Sequence, residues 1–216
     1  MLIYWNGHSE FLLESEDGYR VLTDPFDPAT GYPMRDIQAD AVITSHGHGD
    51  HNYVHKVLGS PMVISNTGET VLTPRVRVSS VLADHDGEHG AKRGKTLLTV
   101  IEMDGLRIAH LGDLGCLPDD GQKRFLRGID ILMLPIGGYF TVDGETAAQI
   151  VRELRPTVTL PMHYKTRYNS TWPITDEKPF LTALNVQAPP VVPLLRVTRE
   201  DISCMSPVYM FELPQG

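Results

Sequence analysis

The stretch VITSHGHGDHN, residues 42–52, puts three histidines and an aspartate within six positions, directly after a β-branched apolar run. His46, His48, Asp50 and His51 form the pattern H-x-H-x-D-H. Imidazole and carboxylate suit zinc, manganese or iron, and no thiolate stands in the motif. In an extended or looped segment His46 and His48 point to one side, and Asp50 and His51 turn toward a second position. Four ligands to one ion from so short a segment are crowded, so two adjacent ions are easier to satisfy. Two sites need further ligands, and later strand ends offer His85, Asp113 and His163. The competing reading is a polar loop with surface histidines. A lone His-x-His would leave that reading open, but the added Asp-His at this offset argues against it.

The chain around the motif reads as strands that end in such groups. LIYWNGHSEFLLES and YRVLTDPF are apolar-rich segments parted by EDG, a hairpin turn. FDPATGYPMRD is a Pro- and Gly-rich loop. ADAVITS is a buried strand, HNYVHKVLG is expected to form a short helix, and PMVISN is a further strand. RVRVSSVLADHDGEHGAKRGKTLLTVIEM places β segments around a long polar loop. DGLRIAHLGDLG reads as a turn and a strand followed by a Gly-flanked aspartate. GIDILMLPIGG is nearly continuous in apolar residues, as in strands buried on both faces. DGETAAQIVRELRP has helical spacing and stops at a proline, and TVTLPMHY is a strand ending in a histidine. Residues 129–163 therefore read as a right-handed β-α-β unit. Short strands return near the C-terminal end. Ligands in layered α/β proteins gather at the carboxyl ends of strands, where VITSH, RIAHLGD and LPMH all stand.

Composition narrows the partners. The 216 residues suggest one domain, 1–216, with 41% hydrophobic and 21% charged residues. A net charge of −8 disfavours a protein that mainly grips a phosphate backbone, so no nucleic-acid partner is expected. Bound divalent cations would offset part of that charge locally. Cys116 and Cys204 are the only cysteines, which fits a reducing, cytoplasmic setting and no disulfide framework. No signal peptide or membrane-length apolar run is visible, so no membrane partner is expected. A homo-oligomer is compatible with the exposed C-terminal strands.

SHGHGDH, ADHD, HLGD and LPMH together resemble the ligand set of the metallo-β-lactamase superfamily. WNGHSEFLLES, VLTDPF, LPIGGYFTVDGETA and PMHYKT are similar to the branch of ascorbate-6-phosphate lactonase-like proteins and other metal-dependent hydrolases. The likeness runs from about Tyr4 to Thr166. It implies an α/β fold, the four-layer αββα sandwich, with a dinuclear centre at one edge. By position it implies His46, His48 and His85 on a first metal, Asp50, His51 and His163 on a second, and Asp113 bridging both. His89 lies in the same loop as His85 and is the alternative ligand there. The resemblance specifies fold and metal far better than substrate.

Two divalent ions about 3.5–4 Å apart can share one water and lower its pKa to near neutral, so a bridging hydroxide is the expected nucleophile. Zinc is the first expectation, with manganese or iron also suited to these ligands. Asp50 is expected to orient the hydroxide and take its proton. The expected substrate is a small, anionic molecule with an ester-like bond, such as a lactone or a phosphorylated metabolite. A phosphodiesterase and a non-catalytic metal- or ligand-binding sensor are the rival functions. His8 is read as a group near the metals, in contact with substrate or a ligand, against the bland reading of a hydrogen-bonded strand-end histidine. Asp24 is read as orienting a ligand, His110 as a satisfied core histidine, and Cys116 as a small buried hydrophobe in place of the histidine often found there in relatives. Gly137 and Gly138 would let the backbone approach the cleft. Tyr139 and Phe140 are read as pocket walls or core. Lys165, Arg167, Tyr168 and Trp172 are read as substrate groups or an ordinary loop. His55, Lys92, Arg93 and Lys95 are read as solvated, although GAKRGKT is long enough to reach over the cleft.

Overall fold

The structure, a computed structural model, describes residues 1–215. The first third supplies β1 (Leu2–Gly7), β2 (Glu10–Glu14), β3 (Arg20–Thr23), β4 (Ile37–Gln38), β5 (Ala41–Ile43), β6 (Val57–Leu58) and β7 (Met62–Ile64). Next come β8 (Gly68–Thr73), β9 (Val76–Asp84), β10 (Lys95–Met103), β11 (Leu106–His110), β12 (Ile131–Pro135) and β13 (Val158–Met162). The short β14 (Val191–Val192), β15 (Leu195–Arg196) and β16 (Met210–Phe211) close the chain. Helices α1 (Asp120–Phe125), α2 (Gly144–Leu154) and α3 (Lys178–Leu184) lie between β11 and β14.

Two six-stranded mixed sheets stack face to face, in the orders β15-β1-β2-β3-β5-β7 and β13-β12-β11-β10-β9-β8. In each, antiparallel hairpins give way to parallel strands: β3, β5 and β7 in one, and β11, β12 and β13 in the other. Parallel neighbours send their carboxyl ends to the same edge, and the metal-type side chains stand there. Side chains alternate across a strand. Ile3, Trp5, Phe11, Leu13, Val21, Ala41 and Ile43 therefore face inward, against residues such as Val76, Val78, Ile101 and Ile108 on one face of the second sheet, in one continuous core. All five residues of β12 and all five of β13 are buried. Such two-sided burial is what a parallel strand under a helix requires.

Helix α2 crosses between β12 and β13, as its spacing predicts. Asp143 caps it by accepting the Thr146 N–H at 2.8 Å, and Arg155 ends it in the left-handed region just before Pro156. Helices α1 and α3 have only six and seven residues, too few to display an amphipathic repeat in the sequence. Asp119 and Gln122 nevertheless form a capping box at the start of α1.

The outer face of the first sheet is covered differently. HNYVHKVLG does not form the expected short α-helix. Val54–Lys56 makes one 3-10 turn, and Val57–Leu58 pairs in parallel with Ile37–Gln38. Tertiary packing overrides the local pattern there, because the Ile37, Ala39 and Val57 side chains close over Leu22 and Val42 as a small second core. Lys56 is buried and ion-pairs with the fully buried Glu10 while lying 3.5 Å from the centre of the Phe26 ring. Glu10 also accepts hydrogen bonds from Asn6 and the Phe26 N–H, so the pair ties β2 to the loop after β3. Breaking a buried pair leaves an uncompensated charge. Lys56→Met is expected to destabilise the fold by about 3 kcal/mol, or roughly 8 °C in Tm by calorimetry. Adding Glu10→Gln to that variant is expected to recover part of the loss. Among the described residues, no helix is long and apolar enough to cross a membrane.

Candidate metal centre

Six strand ends meet at one edge of the sandwich. His8 sits in the β1–β2 turn, and Asp24 follows β3. His46, His48, Asp50 and His51 follow β5. His85 follows β9, Asp113 follows β11, and His163 follows β13. Three sets of ligand atoms each lie within 4.8 Å of one another: His46, His48 and His85; His8, Asp50, His51 and His163; and His46, His51 and Asp113. All seven expected ligands thus come together, and His8 joins the second set.

Asp113 is central. Its Oδ1 is 3.2 Å from His51 Nε2, and its Oδ2 is 3.4 Å from His85 Nε2 and 3.3 Å from His163 Nε2. His46 Nε2 and His48 Nδ1 are 2.9 Å apart. His8 Nε2 lies 3.2 Å from both Asp50 Oδ2 and His51 Nε2.

Asp24 orients two of these histidines. Its buried carboxylate accepts the Ser45 N–H and the Ser45 hydroxyl, both at 2.6 Å, and the His51 Nδ1–H at 2.7 Å. The Ser45 hydroxyl proton is spent on Asp24, so Ser45 Oγ accepts from His46 Nδ1, 3.0 Å away. Both imidazoles therefore keep their Nε2 lone pairs for the centre, the tautomer a metal ligand needs. Electrostatics act in the same direction on His46 and on His8, whereas His51 has to give up its Nε2 proton to a metal. Burial and the neighbouring His51 push His46 down to about 3, and burial and His163 push His8 down to about 4. Both are neutral and able to coordinate at ordinary pH. Burial opposes charge on His51, but the Asp113 and Asp24 carboxylates outweigh it and hold the ring well above the usual histidine range. Burial likewise opposes charge on Asp113, yet His163 and His51 keep it well below the usual carboxylate range.

Several of these atoms are buried without a hydrogen-bond partner: both ring nitrogens of His85 and of His163, Asp113 Oδ1, and His8 Nδ1. Leaving buried polar atoms unpaired costs about 1–3 kcal/mol each, so an array aimed at one space needs a functional reason. A nitrogen and oxygen donor set with no sulfur fits divalent zinc, manganese or iron. The residues present therefore fit divalent metal.

The backbone is held in uncommon conformations here. His8, Asp24 and His163 all have φ between 40° and 52°. Non-glycine residues in the left-handed region cluster at functional sites. Two glycines permit the close packing that aims these groups. A Cβ on Gly112 would lie 2.3 Å from Thr96 Oγ1 and 2.6 Å from Ser45 Cβ. A Cβ on Gly137 would lie 2.2 Å from the carbonyl oxygen of His163.

The centre floors a cavity of about 410 Å³, walled by Arg93, Phe140, Trp172 and Pro173. Several sequence expectations are corrected or divided. Arg93 was expected to be solvated but lines the cavity, because Asp86 folds its loop inward. Asp86 accepts the backbone N–H groups of Glu88, Gly90, Lys92 and Arg93. Aspartate before spaced glycines is the sequence signal for such a turn. His89 points to solvent, 3.7 Å from Asp84, and His85 takes the place in the cluster. Cys116 is half-buried and not part of the core, since it lies on the open loop after Asp113. His110 is fully satisfied: Nε2 donates to the Ser9 carbonyl at 2.9 Å, and Nδ1 accepts from the Gly112 N–H. Of Lys165, Arg167, Tyr168 and Trp172, Trp172 alone lines the cavity. The exposed Arg167 stacks on Tyr168, whose hydroxyl is spent on Pro214. Phe140 faces the cavity, and Tyr139 is 64% exposed beside it. His55, Lys92 and Lys95 are exposed as expected.

Two stacked mixed sheets with metal-type ligands at their shared edge define the metallo-β-lactamase fold. Residues 2–163 match the profile of the Beta-lactamase superfamily domain. A Thermotoga maritima member of the metallo-β-lactamase superfamily (tm0207) superimposes with a TM-score of 0.80 at 31% identity, covering 97% of each chain. A UPF0173 metal-dependent hydrolase of Thermoplasma acidophilum (Ta0764) is 30% identical over 76% of this chain and 83% of its own. One of Thermococcus onnurineus is 32% identical over 77% and 84%. The chain belongs to the metallo-β-lactamase superfamily and, within it, to the UPF0173 metal-dependent hydrolase family.

Proposed function

We propose that the chain is a dinuclear metal-dependent hydrolase that cleaves an ester-like bond in a small anionic molecule, a lactone or phosphorylated metabolite. The observation that carries this reading is the convergence of unpartnered buried donors from His85, Asp113 and His163 on the H-x-H-x-D-H loop. His46, His48 and His85 would hold one ion, and Asp50, His51 and His163 the other, with Asp113 between them. The likeness to the Thermotoga maritima relative, described as a Zn-dependent hydrolase, supports zinc. The likeness of WNGHSEFLLES and PMHYKT to ascorbate-6-phosphate lactonase-like proteins supports the lactone class.

When bound, such a pair of ions supplies Lewis acidity and brings the pKa of water to near neutral. The chain's residues do the rest. Burial opposes charge on Asp50, but the hydrogen bond from His8 and the proximity of His51 keep its carboxyl well below the usual range. Asp50 is thus an anion at working pH, half-buried at the cavity, ready to accept the proton of the attacking water. His8 stands behind it at 3.2 Å and holds that carboxylate in place. Water oxygen bonds to the carbonyl carbon, the ester C–O bond breaks, and the alcohol leaves with the proton. Phe140, Trp172 and Pro173 shield one side of the cavity from bulk water.

A panel of lactones, aryl esters, phosphodiesters and thioesters tests the reading, each assayed with chelated and zinc-reloaded protein. Ester or lactone hydrolysis lost on chelation and restored by about two equivalents of zinc is expected. Hydrolysis that survives chelation, or turnover of phosphodiesters alone, would overturn it. Metal uptake without turnover of anything would point to a sensor.

A further inference from the structure

We infer that Arg93 is an anion-binding subsite at the mouth of the metal cavity, selecting esters that carry a carboxylate or phosphate on a flat body. The inference rests on the hydrolase reading above and names the substrate class of that site. Arg93 lines the same cavity as Asp50, Asp113 and His163. Its guanidinium lies 5.5 Å from the centre of the Phe140 ring and 5.8 Å from that of Tyr139. Among the described residues it makes no ion pair, and of the arginines it is the one that lines this cavity.

The placement is built in advance. The Arg93 N–H bonds to Asp86 Oδ2 at 2.8 Å, one of four backbone donors gathered by that buried carboxylate. The clasped backbone thus brings a permanently charged fork to the cavity, one that suits carboxylate or phosphate oxygens bidentately. The chain's net charge of −8 repels anions at long range, so a local unpaired cation decides which anions enter. The Phe140 and Trp172 rings that line the same cavity favour a flat, apolar substrate body.

The test compares 4-acetoxybenzoate and 4-acetoxyphenyl phosphate with phenyl acetate, using zinc-loaded full-length protein. The wild type is expected to prefer the anionic esters by about tenfold in kcat/KM, the scale of one charge-assisted hydrogen-bonded contact. Arg93→Met should abolish the preference, and Arg93→Lys should retain part of it. The better of the two anions identifies the natural group. No preference in the wild type, or one that Arg93→Met leaves intact, overturns the subsite. If no ester is hydrolysed, the hydrolase reading fails and the subsite is judged by binding. Quenching of Trp172 fluorescence by 4-hydroxybenzoate and phenyl phosphate is then compared with quenching by phenol. Tighter anion binding that Arg93→Met removes upholds it, and equal binding in both proteins overturns it.

Discussion

Asp113→Ala is expected to lower hydrolysis by about three orders of magnitude, the equivalent of about 4 kcal/mol of transition-state stabilisation. The same variant should lose metal, read by elemental analysis of the dialysed protein. Asp113 touches histidines from three different strand ends: His51, His85 and His163, at 3.2–3.4 Å. Without it the two halves of the centre have no shared ligand. Three imidazoles would then lose their shared counter-charge, and His51 would keep only Asp24 of the two carboxylates that hold it charged in the metal-free protein. Circular dichroism should remain native, because the core does not include this side chain. Retention of activity would remove Asp113 from the mechanism.

Asp24→Asn is expected to weaken metal binding and activity by about 10- to 100-fold, the usual consequence of losing a group that orients a ligand. Asp24 makes no contact with the cavity, so the effect tests transmission through Ser45 and His51. Three donors converge on this carboxylate, and an amide has only one oxygen to meet them. At least one of Ser45 N–H, Ser45 O–H and His51 Nδ1–H would be left facing an NH2 group. The His51 ring would then be free to rotate or change tautomer. Metal affinity by competition with a chromophoric chelator reads this directly. An unchanged affinity would mean that the ring is held by its packing alone.

The way these residues come together was legible in the sequence because strand ends are local signals. Asp113 follows an apolar run and is flanked by glycine, and His163 ends another run, so each could be placed on a sheet edge before any contact was known. The buried β12 and β13 and the intervening helix were legible for the same reason: burial on both faces writes itself as unbroken hydrophobicity. What escaped depends on contacts between distant segments. Lys56 looks like a surface lysine in HNYVHKVLG, and only Glu10, 46 residues earlier, makes its burial tolerable. Arg93 looks solvated in GAKRGKT until Asp86 is seen to fold the loop inward. Arg167, its rival for an anion, is drawn away by stacking on Tyr168. Side-chain direction on long loops is a tertiary property, which explains why the convergence of candidate metal ligands was readable and the cavity wall was not.

The central claim is two ions held by one shared carboxylate, and anomalous diffraction from zinc-soaked crystals tests it most directly. Two peaks about 3.5–4 Å apart are predicted. One should lie among His46, His48 and His85, the other among Asp50, His51 and His163, with Asp113 between them. A single peak, or a pair with Asp113 bound to neither, would contradict the account.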